Sequence, residues 1–142
     1  MNTSKQRGFT LLEVMIVVVI VAGLLLIAVP LYQDQILKTR RTDAMIGLQD
    51  LASRQEKFLL DRATYVWVAD LSSIGWPTTS PEGWYDLSIT PEAADCDLIN
   101  CYEMVATPAS GSPQEDDEEC TSFTLASSGA KDATGTRADE CW

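Results

Sequence analysis

Between Leu11 and Val29 every residue is apolar or glycine except Glu13, and Val14 to Val29 carries no charge at all. A run of this length suits lipid or the centre of a fibre. Gly23 and Pro30 punctuate it. Pro30 lacks an amide hydrogen and crowds the carbonyl of Leu26, which predicts a kink where the apolar run ends. Beyond Pro30 the pattern changes without stopping. Ala44, Leu48, Leu51, Ala52, Phe58 and Leu59 recur at steps of three and four, with Asp43, Asp50, Arg54, Glu56 and Lys57 on other faces. The two stretches read as one continuous helix over residues 9–61. A one-sided apolar stripe requires a cover, and a sheet provides it, so the fold class is α+β.

Arg62-Ala63-Thr64-Tyr65 closes the helix, and Gly75, Pro77, Pro81 and Gly83 break regular structure over residues 66–83. Trp67, Ile74 and Trp76 are expected to pin that stretch to the body. Period-two alternation follows in three places. Tyr85, Leu87 and Ile89 oppose Asp86 and Ser88; Tyr102, Met104 and Ala106 oppose Glu103, Val105 and Thr107; Phe123 and Leu125 oppose Ser122 and Thr124. Each is the pattern of a strand with one covered face, and together they imply a small antiparallel sheet. The tail, residues 127–142, is rich in Gly, Ser, Ala and Thr, and Cys141 and Trp142 are its natural anchors.

A chain of 142 residues with one long apolar segment leaves material for one modest core. Charge is unevenly divided. Residues 63–142 hold fifteen acidic side chains against Lys131 and Arg137, a net charge of −13. Such a head repels phosphate backbones, which argues against direct nucleic-acid binding. Positive charge concentrates instead at Lys38, Arg40 and Arg41, candidates for pairing with acidic residues of neighbouring molecules. The run Glu115-Asp116-Asp117-Glu118-Glu119 raises a calcium reading. It lacks the ligand spacing and glycine turn of a calcium loop, so a solvated charge run is the preferred reading. There is no His and no phosphate-cradling glycine motif, so the sequence points to no enzyme and implies no cofactor. Four cysteines, Cys96, Cys101, Cys120 and Cys141, read as two disulfides in an oxidising compartment, with three connectivities open. Zinc is disfavoured by the missing His and by spacings unlike Cys-x-x-Cys.

Glu13 is the anomaly. A charge within a membrane helix costs about 2.5–3.5 kcal/mol on insertion scales, so it requires a partner; the competing reading is a carboxyl kept protonated in the bilayer. The residues around it, Gly8-Phe9-Thr10-Leu11-Leu12-Glu13-Val14-Met15, follow a short basic stub and open the apolar run. This stretch resembles the class III leader and N-terminal helix of type IV pilin precursors. The resemblance continues through Pro30-Leu31-Tyr32-Gln33 and Lys38-Thr39-Arg40-Arg41. At the C-terminus, Cys120 and Glu140-Cys141-Trp142 look like a minor pilin of the PilE type.

The resemblance implies a type IV pilin fold, with a long N-terminal helix, membrane-spanning in its first half, on a small antiparallel sheet. It implies a leader, residues 1–8, cut from Phe9 after Gly8, and a new N-terminus methylated on Phe9. Glu13 would then meet the N-terminal ammonium of a neighbouring subunit, and Pro30 would mark the segment that can unwind during assembly. Residues 9–31 would form the membrane span and filament core, and residues 62–142 a head with an αβ-loop and a C-terminal D-region. The family pattern favours Cys120–Cys141 closing that D-region, leaving Cys96–Cys101 as a short loop. Implied partners are other pilin subunits, a prepilin peptidase, an assembly platform and the inner membrane. Lys5 and Arg7 hold the short side in the cytoplasm and put the C-terminus in the periplasm, before transfer to a surface pilus. Twitching motility, adhesion and DNA uptake are what such fibres serve. Rival readings are a major pilin, a type II secretion pseudopilin, and an adhesin or binding module displayed on the fibre.

Overall fold

The computed structural model describes residues 9–66, 71–90 and 101–142. Helix α1 (Leu11–Arg62) runs without interruption through Gly23 and Pro30. Thr10 starts it: the Thr10 hydroxyl accepts the amide hydrogen of Glu13 at 3.2 Å. This is an N-cap, with an acidic residue at the third helical position. Ala63 ends it in the left-handed region, φ 54°, with its amide donating to the Leu59 carbonyl at 2.8 Å. The expected bounds, 9–61, differ from these only by end residues.

The chain divides after Ile36 into two compact units. In the first, the described side chains are exposed along the helix as far as Gln35, that of Pro30 aside. In the second, residues 37–142, the rest of α1 packs on a four-stranded antiparallel sheet in the order β1-β2-β3-β4. Its strands are β1 (Tyr85–Thr90), β2 (Glu103–Pro108), β3 (Ser122–Ala126) and β4 (Lys131–Thr134). Register places Leu87, Ala106, Phe123 and Ala133 in one inward row. Ala44, Leu48 and Leu51 of α1 are fully buried on the inner face with Tyr85, Met104 and Phe123. Each large apolar side chain buried this way contributes about 1.5–3 kcal/mol. Gly47 lets the helix come close: a Cβ there would lie 3.1 Å from a Leu87 methyl and 3.3 Å from the Ser80 Cα.

The three expected strands are present, with their apolar residues facing inward as read. The tail adds a fourth strand, β4, to the three expected. Lys-Asp-Ala-Thr puts only Ala133 inward, too little apolar character to register as alternation.

The stretch between helix and sheet is held differently from expectation. Trp76 is half-buried and meets Phe58 edge-on at 6.3 Å. Ile74 is 38% exposed, and Leu71, one turn earlier in a short 3-10 helix, is buried instead. Trp67 lies outside the described residues. At the helix exit the buried Gln55 amide donates to the Val66 carbonyl at 2.6 Å and accepts the Val66 amide at 2.9 Å. Tyr65 then meets Tyr102 edge-on at 4.7 Å.

Candidate functional site

In the first unit every residue from Phe9 to Val29 is exposed. Among the described residues, α1 is the helix long and apolar enough to cross a membrane. Glu13 sits in its first turn, where the unpaired amides favour a carboxylate. That capping relation is readable in the sequence as Thr-x-x-Glu, a signal the reading of Glu13 as a bare anomaly passes over. Phe9 is 84% exposed, immediately before the cap. Gly8 lies outside the described residues.

In the second unit the structure separates the three basic residues expected to act together. Arg41 is buried: its Nε and Nη2 donate to the Asp117 carboxylate at 2.7 Å each, and Nη2 also reaches Glu119 at 2.9 Å. Its pairing is therefore within the chain, which corrects the inter-subunit role expected for it. Arg40 stacks over the Trp84 ring, 4.0 Å from its centroid, while the Trp84 indole donates to Glu82 at 2.9 Å. Lys38 is exposed, and its ammonium makes no ion pair or hydrogen bond among the described residues. The reason is helical phase. Arg41 precedes Ala44 by three and Leu48 by seven residues, so it lies on the buried stripe.

Two further expectations are corrected. Asp43 does not point away from the core. It is buried, and accepts the Ser80 hydroxyl, the Glu82 amide at 2.9 Å and the Trp84 amide at 3.4 Å. The loop entering β1 thus wraps a helix carboxylate. Nor is the acidic run 115–119 wholly solvated. Asp117 is buried on Arg41 and caps the Cys120 amide at 3.2 Å, leaving Glu115, Asp116 and Glu118 exposed. Among the described residues no group of three His, Cys, Asp or Glu is arranged to hold a metal ion.

Arg41 continues into the C-terminal loop. Arg137 donates to Glu119 at 3.3 Å and pairs with Glu140, giving an alternating chain of charges. The Arg41 hydrogen bond, followed by Arg137, holds the Glu119 carboxyl below the usual carboxylate range despite an opposing desolvation effect. Cys120 and Cys141 are disulfide-bonded, closing this loop as the resemblance implies. Cys101 is also in a disulfide, while Cys96 lies outside the described residues. Trp142 packs edge-on against Phe123 at 6.0 Å and donates to the Asp132 carbonyl at 2.6 Å, covering the free edge of β4.

A model for the type IV minor pilin ComP, DNA uptake sequence receptor, matches residues 30–124, more than half of the chain. A prokaryotic N-terminal methylation motif matches residues 3–29. The chain belongs to the type IV pilin family. The type IV major pilin protein PilA of Myxococcus xanthus is 32% identical over 77% of this pilin and 48% of its own length. The fimbrial protein EcpC of Eikenella corrodens is 36% identical over 72% of this pilin and 65% of its own length. This pilin therefore spans less than two thirds of the length of either relative. A crystal structure of the Neisseria meningitidis non-core minor pilin PilV covers 72% of this pilin and 90% of that chain. The TM-score is 0.51 at 17% identity, and the likeness is one of fold.

Proposed function

We propose that this pilin is a minor subunit of a type IV pilus, held in the inner membrane by its N-terminal helix and then packed by that helix into the filament. The observation that carries the reading is the apolar surface from Leu11 to Val29, exposed throughout and interrupted by a single carboxylate at Glu13. In water such a surface demands a cover, first lipid and then neighbouring helices. A prepilin peptidase would cut between Gly8 and Phe9, removing residues 1–8, and Phe9 would be methylated. The Phe9 ammonium of one subunit would pair with Glu13 of the next, offsetting the cost of burying that charge. Pro30 closes the segment that adapts during packing. Residues 62–142 remain outside as the head, periplasmic before assembly and on the cell surface afterwards, with an assembly platform driving the transfer. We assign it no catalysis.

The matching family model is described as a DNA uptake sequence receptor. We do not carry that role to this head, where over residues 63–142 two basic residues face fifteen acidic ones. Retention of duplex DNA by the detergent-solubilised chain at low salt would reverse this position.

Intact-mass measurement on filaments sheared from cells tests the main reading. The expected result is a low-abundance mass for residues 9–142 with one added methyl and four hydrogens lost to two disulfides. The same mass as the dominant species makes the chain the major pilin. Its confinement to the envelope, absent from filaments, moves it to the secretion pseudopilins. Loss of a ligand on mutation of Trp76 or Trp84, with filaments intact, points to a displayed binding module.

A further inference from the structure

Glu119 immediately precedes Cys120, and Glu140 immediately precedes Cys141. Arg137 joins those two carboxylates: its Nη1 donates to Glu119 at 3.3 Å, and its Nη2 pairs with Glu140. One guanidinium thus gathers the residues beside both sulfurs of the bond that closes the loop. The backbone acts with it. The Arg137 amide donates to the Glu119 carbonyl at 3.1 Å, and the Thr136 amide to the Glu118 carbonyl at 2.9 Å. From α1, Arg41 holds Asp117 and Glu119, and Asp117 accepts the Cys120 amide at 3.2 Å. Arg41 therefore places Cys120, and Arg137 brings Cys141 to it. None of these contacts involves a sulfur, so all are open to the reduced chain. Cys141 Sγ also lies 3.2 Å from the Arg137 carbonyl oxygen, an acceptor for its thiol hydrogen before oxidation.

We infer that Arg137 is a positioning residue for the oxidation of this chain, selecting Cys120–Cys141 over pairings of either cysteine with Cys101. The reaction it guides is thiol–disulfide exchange with a disulfide oxidant. The first cysteine loses its proton to solvent, and its thiolate attacks a sulfur of the oxidant, forming a mixed disulfide and expelling one oxidant thiolate. The second cysteine, likewise deprotonated, attacks the chain's own sulfur in that mixed disulfide and expels the other. The chain gives up two thiol protons and two electrons, and the oxidant is reduced to a dithiol. The second step is intramolecular, so it follows the effective concentration of one cysteine at the other. Loop length does not make the choice, because Cys101 precedes Cys120 by nearly as many positions as Cys141 follows it. Charge does. Cys101 stands between Asn100 and Tyr102, with no carboxylate beside it for Arg137 to gather. The latch increases the time that the reduced loop spends with Cys120 and Cys141 in contact.

Refolding of the full, detergent-solubilised chain from its reduced, denatured state in a glutathione buffer tests this. Peptides mapped without reduction give the share of each pairing. At low salt the parent should form Cys120–Cys141 predominantly. Arg137→Gln should lower the equilibrium constant of that bond against glutathione roughly fivefold, the effect of two partly exposed ion pairs, and raise links from Cys120 or Cys141 to Cys101. Arg137→Lys, which keeps the charge, should restore most of the loss. High salt should impose the same loss on the parent and add none to Arg137→Gln. The salt arm on the parent requires no variant to fold. Equal constants and equal pairing in the parent and Arg137→Gln at low salt overturn the inference. So does a parent indifferent to salt, or an Arg137→Gln chain that is less stable once oxidised yet pairs its cysteines as the parent does.

Discussion

Arg41 and Asp117 are 76 positions apart in sequence and joined by two hydrogen bonds of 2.7 Å, with both side chains buried. The pair ties α1 to the segment that enters β3. Removing one partner leaves the other charged and buried, which costs about 3–5 kcal/mol, whereas replacing both with apolar groups is often neutral or better. Arg41→Met and Asp117→Leu should each destabilise by about that amount. The double variant should recover most of the loss. Denaturant titration of the detergent-solubilised chain, followed by tryptophan fluorescence, measures all three. Simple additivity of the single effects would show that the two side chains do not act as a unit.

Helix and strands are legible in the sequence because periods near 3.6 and of 2 survive in the apolar residues that meet in one core. Leu48 and Leu51 declare themselves, as do Leu87, Met104 and Phe123. Buried polar residues do not. Arg41, Asp43 and Asp117 read as surface because burial of a charge depends on a partner far along the chain, and no local pattern names Asp117 from Arg41. Phase on the helix was the available signal, since residues 41, 44 and 48 share a face. The Cys120–Cys141 bond follows the family resemblance, while spacing alone left three pairings open. β4 escaped because an edge strand with one small inward residue needs little hydrophobicity.

Ala63 stops α1 with φ 54°, a conformation that disfavours any Cβ. Glycine removes that strain at some cost in chain entropy. Ala63→Gly should therefore stabilise the head, by about 0.5–1 kcal/mol, against the usual trend for glycine substitutions. A shift of the denaturation midpoint to lower denaturant would contradict the assignment of Ala63 as the cap.

The C-terminal loop rests on two supports that should prove coupled. A Cβ at Gly135, φ 135°, would lie 2.2 Å from the Glu119 carbonyl oxygen. It would push apart the strands of chain joined by Thr136 donating to Glu118 at 2.9 Å and Arg137 donating to Glu119 at 3.1 Å. The disulfide closes a separation of 21 residues, for which loop entropy gives about 3 kcal/mol. Gly135→Ala and Cys141→Ser should each expose the amides of β4 to hydrogen exchange. Their combination should cost less than the sum, because either change already frees the loop. Full protection of Ala133 in either variant would contradict this.

Tyr102 offers an alkaline test. Burial, with Glu56 and Tyr65 adding to it, pushes its hydroxyl up to about 12. The unfolded chain ionises it near 10. The folded state's advantage is therefore whole below the unfolded value and is lost as pH rises from about 10 to about 12. Tyr102→Phe should flatten that part of the stability profile, and absorbance titration of the parent should show a late phenolate step that the variant lacks. A step of equal size in both would rule Tyr102 out as its source.

Glu119 offers the matching acid test, with the opposite sign. Its carboxyl is held down chiefly by the hydrogen bond from Arg41, with Arg137 and Lys38 assisting. In the unfolded chain the same carboxyl takes up its proton near pH 4.3, and in the folded chain only at lower pH. The contribution is therefore complete above the unfolded value and drains away as pH falls through the folded one. Glu119→Gln removes the titration. The variant should be less stable than the parent at neutral pH, with the gap narrowing as pH drops below about 4. Denaturation midpoints of both chains at neutral pH and across that acid range read the gap directly. A gap that stays constant through the acid range would mean that the Glu119 charge contributes none of it, and that Arg41 depends on Asp117 alone.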